Sequence, residues 1–330
     1  MTTTLITGGT GLIGTTLAEQ LLSAGERVVL LDVALPEAKV APLRRHGDRL
    51  TLTRGDVQAL AELISACRAH AVDAIVHLAY VLGAVGNTEP ERATRVNIIG
   101  TVNALEAARL AGVPRVLLAS SISVYGSDDQ YAPGELPLGE DAARHVCRTL
   151  PIYGGGKLYT EHLADAYART HGLAIAGLRP SVVYGPGRES GASAFLNEVI
   201  EQPALGRPVT VGFGDARISL VHVEDVAGQF AALLRSDPAV FARRRFFNTG
   251  GDTATVRELA AVVERVVPGA RITVTSTGEP DLGGLVTAVS DRAIEELVGY
   301  KRRLSPLEAG VRAHANAARA RAGLPPLPGG

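Results

Sequence analysis

Tyr153 and Lys157 place a phenol and an ammonium four residues apart in the segment Tyr-Gly-Gly-Gly-Lys. On a helix this spacing brings the two side chains to one face, one above the other. A phenol has a reference pKa near 10 and is a poor base at about pH 7, but a neighbouring cation favours its phenolate form. We therefore expect Tyr153 to remove a proton from a substrate hydroxyl, with Lys157 supplying the positive charge.

Serine hydroxyls lie upstream of this pair, in Ser120-Ser-Ile-Ser-Val-Tyr-Gly126 at the end of a predicted strand. Open α/β sheets bind their ligands at the carboxyl ends of the strands. A serine at this edge can hold the substrate oxygen beside Tyr153. The segment offers Ser120, Ser121 and Ser123 for that contact.

A glycine-rich turn lies between the first predicted strand and the first predicted helix, in Gly8-Gly-Thr-Gly11-Leu12-Ile13-Gly14. Glycine permits backbone torsions and close approaches that a Cβ would block, and the free N–H groups of a helix N-terminus bind pyrophosphate. The order of strand, glycines and helix predicts that Gly8, Gly11, Leu12, Ile13 and Gly14 bind a dinucleotide.

Asp32 ends the second predicted strand, 18 residues after Gly14. A carboxylate at this place accepts a hydrogen bond from an adenosine ribose hydroxyl and repels a 2′-phosphate. The sequence therefore favours NAD over NADP.

The elements that must position these residues alternate between short apolar strands and longer helical patterns from Thr2 to about Leu178, which is typical of a parallel βαβ sheet. We predict a Rossmann-type doubly wound α/β fold with a smaller C-terminal α/β lobe for the substrate. The NAD-binding domain is expected at residues 1–180, with return segments near 218–250, and the substrate lobe at residues 181–217 and 251–330. The predicted strands of the first domain are 3–7, 27–31, 50–53, 74–77, 115–119 and 173–178, and its predicted helices are 12–24, 57–70, 88–111 and 152–171.

The composition excludes several classes of protein. The chain has 330 residues, and its 33 basic and 34 acidic residues leave a net charge of −1, so no basic field is present to bind nucleic acid. Two cysteines cannot cross-link a chain of this length, and scarce thiols are typical of the cytoplasm. We see no signal peptide and no apolar stretch of the roughly 20 residues that a membrane span needs. His145 and Cys147 have no partner at metal-ligand spacing, so no metal site is expected.

These motifs together resemble those of the extended short-chain dehydrogenase/reductase family, the NAD-dependent epimerase/dehydratase group. The resemblance covers nearly the whole chain. The matching segments are Thr7–Gly14, Asp32, Gly55–Val57, His77–Ala79, Val96–Thr101, Ser120–Gly126, Tyr153–Lys157, Leu178–Gly187 and Val221–Val226.

The resemblance implies a role for each catalytic residue. Tyr153 would be the base, Lys157 would bind the nicotinamide ribose and steady the phenolate, and Ser121 would hydrogen-bond the reacting hydroxyl. Ser121 is chosen over Ser120 because the family's catalytic Ser or Thr stands four residues before the tyrosine of Val-Tyr-Gly. The resemblance also implies cofactor contacts from Asp56, Val57, Leu78 and Ala79.

The chain departs from the family's sugar-nucleotide enzymes at three substrate-lobe positions. Their usual Asn is Val182, their usual Arg is Ile218, and their late Arg-Pro-Gly-Asp is Glu279–Leu282. These replacements remove a donor and a cation and add an acid, although Arg188 and Arg217 offset part of the loss and are our candidates for substrate contact. The features disfavour a nucleotide diphosphate.

Two further departures affect the site. The dehydratase branch has Asp-Glu after its catalytic Thr or Ser, where this chain has Ile122 and Ser123, so we do not expect a dehydratase. Gly154, Gly155 and Gly156 are unusual because the residue before the lysine is often Ser. We expect these glycines to clear room beside Tyr153.

We therefore expect an NAD-dependent oxidoreductase or epimerase that oxidises a secondary alcohol of a sugar-like or small hydroxy-acid substrate. The alternatives are a nucleotide-sugar 4-epimerase with retained NAD and, from another class, a non-catalytic NAD-sensing scaffold. The helices predicted at 88–111 and 152–171 have more apolar positions than one buried face needs. By resemblance they pair in a homodimer, although covering the sheet could use the same residues.

Overall fold

A computed structural model describes residues 2–82, 84–188, 193–278 and 284–328. The strands are β1 (Thr3–Thr7), β2 (Arg27–Asp32), β3 (Leu50–Arg54), β4 (Ala74–His77), β5 (Arg115–Ala119), β6 (Ala174–Arg179), β7 (Val182–Tyr184), β8 (Val209–Val211), β9 (Arg217–His222), β10 (Phe246–Asn248), β11 (Asp252–Thr255) and β12 (Ile272–Val274). The α-helices are α1 (Leu12–Ser23), α2 (Glu37–Val40), α3 (Leu60–Ala69), α4 (Ala84–Thr88), α5 (Pro90–Ala93), α6 (Gly100–Ala111), α7 (Pro151–His171), α8 (Phe195–Ala204), α9 (Val223–Arg235), α10 (Ala239–Arg243), α11 (Val256–Val266), α12 (Arg292–Val298) and α13 (Leu307–Arg321).

Within this described part, seven parallel strands form the main sheet in the order β10, β6, β5, β4, β1, β2, β3. The strand order reverses between β1 and β4, which is the place where doubly wound sheets open a crevice for a ligand. The predicted parallel sheet and its Rossmann-type fold are confirmed.

Helices cover both faces of the main sheet. One face packs on α1, α9 and α12 through residues such as Leu17, Phe230 and Ile294, and the other packs on α3, α6 and α7. Because both faces are covered, the strands are apolar on both sides, and Val28–Leu31 are at most 1 % exposed.

The second lobe has its own core between a three-stranded sheet and the helices α8, α11 and α13. In this sheet β9 pairs parallel with β7 and antiparallel with β11. The expected return segment near 218–250 is therefore split, since β9 belongs to the small sheet while β10 pairs with β6 in the main one.

The helix predicted over 88–111 is interrupted, and this corrects the prediction. Glu89 separates α4 from α5 with φ −126° and ψ 62°, because a residue that precedes proline is disfavoured in the helical region. A π-helical turn, Thr94–Ile99, then connects α5 to α6. Within this turn, Asn97 Oδ1 accepts from Val81 N at 2.7 Å and Asn97 Nδ2 donates to Val81 O at 3.1 Å, so the turn holds the segment that follows β4.

Candidate active site

A cleft of about 760 Å³ lies along the carboxyl ends of the main sheet and extends to the second lobe. Every residue predicted to contact the cofactor lines it, together with Ser121 and Arg188. The predicted cofactor residues are Gly8, Gly11, Leu12, Ile13, Gly14, Asp32, Asp56, Val57, Leu78, Ala79, Tyr153 and Lys157. The topology thus brings the residues singled out from the sequence to one surface, and their contacts with a cofactor stay predictions.

The glycine turn leaves no room for side chains at two positions. Gly8 has φ +65°, and a Cβ there would lie 2.7 Å from the amide nitrogen of Ala79. A Cβ at Gly14 would lie 2.7 Å from the carbonyl oxygens of Gly8 and Gly9. The obstructing atoms are backbone and cannot turn away, so both positions require glycine. Gly11 is the N-cap of α1 and makes no side-chain capping bond, which suits this helix end to an anionic diphosphate.

Asp32 fixes the turn to the end of β2. Its Oδ2 accepts from Thr10 N at 3.1 Å and from Thr10 Oγ1 at 2.7 Å. The carboxylate stands at the end of the cleft where the sequence predicts the adenosine ribose. Negative charge at this point disfavours a 2′-phosphate.

Leu78 and Ala79 follow β4 directly. The last residue of β4 is His77, and both of its ring nitrogens have hydrogen-bond partners. His77 Nδ1 lies 2.8 Å from Thr7 Oγ1, and Nε2 lies 3.2 Å from Thr101 Oγ1. Burial lowers the pKa of His77 to about 3, so the ring is neutral near pH 7. His77 is therefore a buried support for the cleft floor rather than a proton carrier.

The two adjacent serines have different partners. Ser120 Oγ donates to Glu161 Oε1 at 2.5 Å, whereas the Ser121 hydroxyl acts on the Tyr153 phenol and lowers its pKa. Ser121 Oγ also accepts from Ser123 N at 3.1 Å, because Ser121 is the N-cap of the short 3₁₀ helix Ile122–Val124. The geometry thus favours Ser121 over Ser120 as the residue that meets a substrate oxygen.

The electrostatics of the Tyr153 phenol differ from the simple sequence expectation. Burial raises its pKa, while the hydrogen bond from Ser121 and the charge of Arg188 act in the opposite direction. The Arg188 guanidinium lies half-buried in the cleft, and its Nε donates to Val183 O at 3.0 Å. The net effect of these protein groups is to raise the pKa of the phenol above its ordinary value of 10, so they keep it protonated near pH 7.

The Lys157 ammonium is buried at the base of the cleft, 3 % exposed. Its Nζ donates to Ala119 O at 2.6 Å and lies 5.6 Å from the centroid of the Tyr153 ring. Burial lowers the pKa of Lys157 to about 7, and the carboxylate of Glu161, one helical turn further along α7, opposes that shift. Lys157 therefore titrates close to neutrality.

Two residues predicted to contact substrate lie elsewhere. Arg217 is exposed at the start of β9, where it pairs with Thr255, and it does not line the cleft, so its contact with substrate stays a prediction. Ser123 is fully buried and does not line the cleft either. Its backbone packs against α7, where its carbonyl oxygen would lie 2.9 Å from a Cβ at Gly154. The segment Glu279–Leu282 lies outside the described residues.

Lys39 and Tyr80 are among the cleft residues that sequence reasoning missed. Lys39 lines the cleft, and its Nζ donates to Gly187 O at 3.1 Å across to the loop after β7. Tyr80 contacts both Lys157 and Tyr153: the face of its ring meets the Lys157 ammonium, and the two tyrosine rings meet edge to face. A sequence signal for Tyr80 was Gly156, the glycine at a position where the family often has a serine.

A parallel sheet of this order, with a glycine turn at its switch point and a Ser–Tyr–Lys group beside it, defines a dinucleotide-dependent enzyme of the Rossmann type. A family model described as "NAD dependent epimerase/dehydratase family" matches residues 4–248, and the chain belongs to this family. It is an NAD-dependent enzyme of the extended short-chain dehydrogenase type, in the epimerase and dehydrogenase class.

Three known proteins illustrate what this chain is similar to. The UDP-glucose 4-epimerase of Mycolicibacterium smegmatis is 31 % identical over 269 residues, which are 80 % of this chain and 82 % of that protein. The UDP-glucose 4-epimerase of Thermus thermophilus, solved in complex with NAD, superimposes with a TM-score of 0.80 at 25 % identity over 96 % of this chain and 99 % of that one. The L-threonine dehydrogenase of Clostridium difficile shares the fold, with a TM-score of 0.83 at 19 % identity over 97 % of this chain and 98 % of that one.

Membrane spans and metal clusters are both absent from the described residues. No helix among them is both long enough and apolar enough to traverse a bilayer. No group of three or more His, Cys, Asp or Glu side chains within these residues is arranged to hold a metal ion.

Proposed function

We propose that this enzyme oxidises a secondary alcohol of a sugar-like or small hydroxy-acid substrate. The observation that carries the proposal is the apolar character of the lobe where sugar-nucleotide enzymes of the family bind their diphosphate. Val182 and Ile218 replace an Asn and an Arg there, and they are 8 % and 5 % exposed, packed in the core of the second lobe. Buried aliphatic side chains provide neither donors nor charge for a diphosphate.

The cation that remains beside the phenol supports an anionic substrate. Arg188 lines the cleft near Tyr153, and its charge acts on that phenol. A guanidinium binds a carboxylate through parallel hydrogen bonds, so a hydroxy acid or a sugar acid suits this position. Arg188 is therefore our candidate for the substrate carboxylate.

Each catalytic side chain has one task in the proposed reaction. Tyr153, as phenolate, accepts the hydroxyl proton, and Ser121 donates a hydrogen bond to the same substrate oxygen. Lys157 holds the ribose hydroxyls of the cofactor and stabilises the phenolate with its positive charge. The chemistry that NAD supplies when bound is acceptance of a hydride from the carbinol carbon.

The cleft suits NAD on two independent observations. The turn at Gly8 and Gly14 leaves a cradle that a Cβ at either position would obstruct, and Asp32 places negative charge where NADP would carry a phosphate. We infer that the twelve cleft-lining residues predicted from the sequence hold this cofactor.

A nucleotide-sugar 4-epimerase with retained NAD is the second candidate, favoured by the 31 % identity with the M. smegmatis enzyme. An epimerase would return the hydride to the other face of the same carbon, so no NADH would accumulate. The two candidates share Ser121, Tyr153 and Lys157 and differ in the group that occupies the second lobe.

Purified protein with NAD and a panel of sugars, sugar acids, hydroxy acids and UDP-sugars separates the candidates. NADH absorbance that accumulates with a sugar acid or hydroxy acid supports our proposal, and Arg188→Met should then raise KM for acids more than for neutral sugars. Turnover of UDP-sugars alone, whether seen as NADH or as the epimerised sugar, would overturn the small-substrate preference.

We also propose a homodimer built on α4, α6 and α7. Exposed apolar or aromatic side chains lie on all three helices: Val85 on α4, Leu110 on α6, and Ile152 and Tyr159 on α7. Ile99 is also exposed, in the π-helical turn before α6. An exposed patch of this kind is typical of a protein interface. Light scattering should give twice the mass of the chain for the parent and the monomer mass for Ile99→Glu; a monomeric parent would contradict the proposal.

We infer a cytoplasmic location from the thiols. Cys67 and Cys147 are both buried and form no disulfide, as expected in a reducing compartment. Recovery of the native protein in the cytoplasmic fraction of its source cells tests this, and recovery from an oxidising compartment would contradict it.

A further inference from the structure

Tyr80 covers the Lys157 ammonium with the face of its ring. The distance from Lys157 Nζ to the centroid of the Tyr80 ring is 3.3 Å, much shorter than the 5.6 Å to the Tyr153 ring. The rings of Tyr80 and Tyr153 meet edge to face, with centroids 5.4 Å apart. Tyr80 thus contacts both members of the acid–base pair.

Gly156 makes room for this arrangement. A Cβ at Gly156 would lie 2.6 Å from the Tyr80 hydroxyl oxygen, while the next nearest atom, Ile98 Cδ1, would be 3.5 Å away. The serine that the family often carries at this position would therefore collide with Tyr80. By contrast, a Cβ at Gly155 would approach only Val146 Cγ1, at 4.0 Å. Of these two glycines, Gly156 is matched to Tyr80.

The hydroxyl of Tyr80 contributes no hydrogen bond among the described residues. Its oxygen is buried without a partner, and burial raises the pKa of this phenol far above its usual range. Tyr80 is therefore neutral and cannot replace Tyr153 as a base. What it offers Lys157 is the negative face of its ring, which attracts a cation more strongly when water is excluded.

The charge state of Lys157 depends on groups from three segments. Glu161 on α7 favours the ammonium, and His77 at the end of β4 is neutral. Tyr153 lies one turn before Lys157 on α7, and its phenolate is the form that the ammonium is proposed to stabilise. Tyr80 adds attraction for the cation from the segment after β4, which Asn97 holds in place through Val81.

We propose that Tyr80 is a positioning residue of the reaction centre, whose ring face holds the Lys157 ammonium against Ala119 and beside Tyr153. This inference rests on the proposed acid–base role of Tyr153 and Lys157. In this proposal Gly156 is the partner of Tyr80, because the absence of a side chain at position 156 leaves room for the Tyr80 ring. Tyr80 and Gly156 thus act together on the reaction centre of this chain, and the fold itself does not require them.

The test compares Tyr80→Phe, which keeps the ring, with Tyr80→Leu, which removes it, in pH profiles of kcat with the substrate found from the panel. Tyr80→Phe should retain at least about half of the parental kcat. Tyr80→Leu should lose roughly tenfold or more in kcat with a smaller change in KM. The pH range over which Tyr80→Leu is active should narrow from both sides. Lys157 should lose its charge at a lower pH than in the parent, which lowers the upper limit. Tyr153 should then need a higher pH to ionise, which raises the lower limit.

Two controls separate this role from folding and from the proposed function. Tyr167→Leu removes a tyrosine ring of α7 that does not contact Lys157, and it should leave the pH profile of kcat unchanged. Tyr153→Phe must be inactive; if it is active, the proposed function fails, whereas a parental pH profile for Tyr80→Leu beside an inactive Tyr153→Phe overturns this inference alone. Tighter NAD binding by Tyr80→Leu with an unmoved profile would also overturn it, since Tyr80 would then only obstruct the cofactor.

A second pair of variants keeps the inference testable if Tyr80→Leu does not fold. Gly156→Ala should narrow the profile in the parent, because its Cβ meets the Tyr80 hydroxyl. The same substitution in a Tyr80→Phe background should do so much less, because that oxygen is gone. Equal effects in both backgrounds would contradict the matched pair.

Discussion

Glu161 on α7 and Arg179 at the end of β6 form a bidentate ion pair, with both side chains buried. Arg179 Nε lies 2.8 Å from Glu161 Oε1, and Nη2 lies 2.7 Å from Oε2. Ser120 donates to the same carboxylate. The pair fixes Glu161 one turn after Lys157, where its remaining charge favours the ammonium.

Breaking this pair should destabilise the protein strongly. Arg179→Met leaves the Glu161 carboxylate buried without its cation, and we expect a loss of about 3–5 kcal/mol in the free energy of unfolding. Urea unfolding followed by circular dichroism measures it. Arg92→Met, which breaks an exposed pair with Glu89, is the matched control and should cost less than about 1 kcal/mol. Similar losses for both variants would show that the buried pair has no special weight.

Lys157→Met should stabilise the protein without added cofactor, most strongly at low pH. Burial lowers the pKa of Lys157 from 10.5 to about 7 in the folded chain, so the cost of burying a charged ammonium is full below pH 7. The unfolded chain binds more protons at this group between the two values, so the cost declines as pH rises through that window. We expect a gain of about 1–3 kcal/mol at pH 6 that shrinks towards pH 10.

Urea midpoints at several pH values check this prediction, with Lys301→Met at an exposed position as control for the lost charge. A gain for Lys157→Met that is the same at every pH would contradict the titration argument. The variant should also be inactive, since the phenolate loses its cation.

Asp32→Asn should relax the preference for NAD. Asparagine keeps an oxygen acceptor for the Thr10 bonds but removes the negative charge, so the ratio of NADP to NAD efficiency should rise roughly 10–100-fold. Thr10→Val is the matched control, because it removes one bond to Asp32 and leaves the charge. If kcat/KM measurements show the same ratio for Asp32→Asn and the parent, the carboxylate does not select the cofactor.

Gly14→Ala should weaken NAD binding. The added Cβ would lie 2.7 Å from two carbonyl oxygens of the turn, which must shift to admit it. We expect Kd for NAD, measured by calorimetry, to rise about tenfold or more. Gly139→Ala, where a Cβ would meet nothing within 4 Å, should bind NAD like the parent. Unchanged affinity for Gly14→Ala would argue that the turn does not contact the diphosphate.

The sequence was most informative where local chemistry dictates geometry. Glycine was predictable at positions 8 and 14, because a Cβ there would clash with backbone atoms. The apolar strand Val28–Leu31 was predictable because both of its faces are buried. The strands β7, β11 and β12 were not predicted, since three or four residues carry too little pattern and their pairing is decided by distant partners.

Tertiary contacts explain what was missed at the site. Tyr80 contacts Lys157 from the segment after β4, which Asn97 holds through Val81, and no spacing along the chain reveals that contact. Arg217 was chosen because it could offset the loss of the family's Arg at the neighbouring position, Ile218, whereas the pairing of β9 with β11 leaves it exposed. A charge is easy to find in a sequence, but the direction in which it points is set by the sheet.

The most direct test measures two properties of Tyr153→Phe: the rate of NADH formation with the substrate identified from the panel, and the affinity for NAD. Phenylalanine preserves the ring and removes only the hydroxyl that is proposed to exchange the proton. We predict that kcat falls by about 10²–10⁴-fold while Kd for NAD stays within about threefold of the parent. A folded Tyr153→Phe that forms NADH at the parental rate would contradict the account.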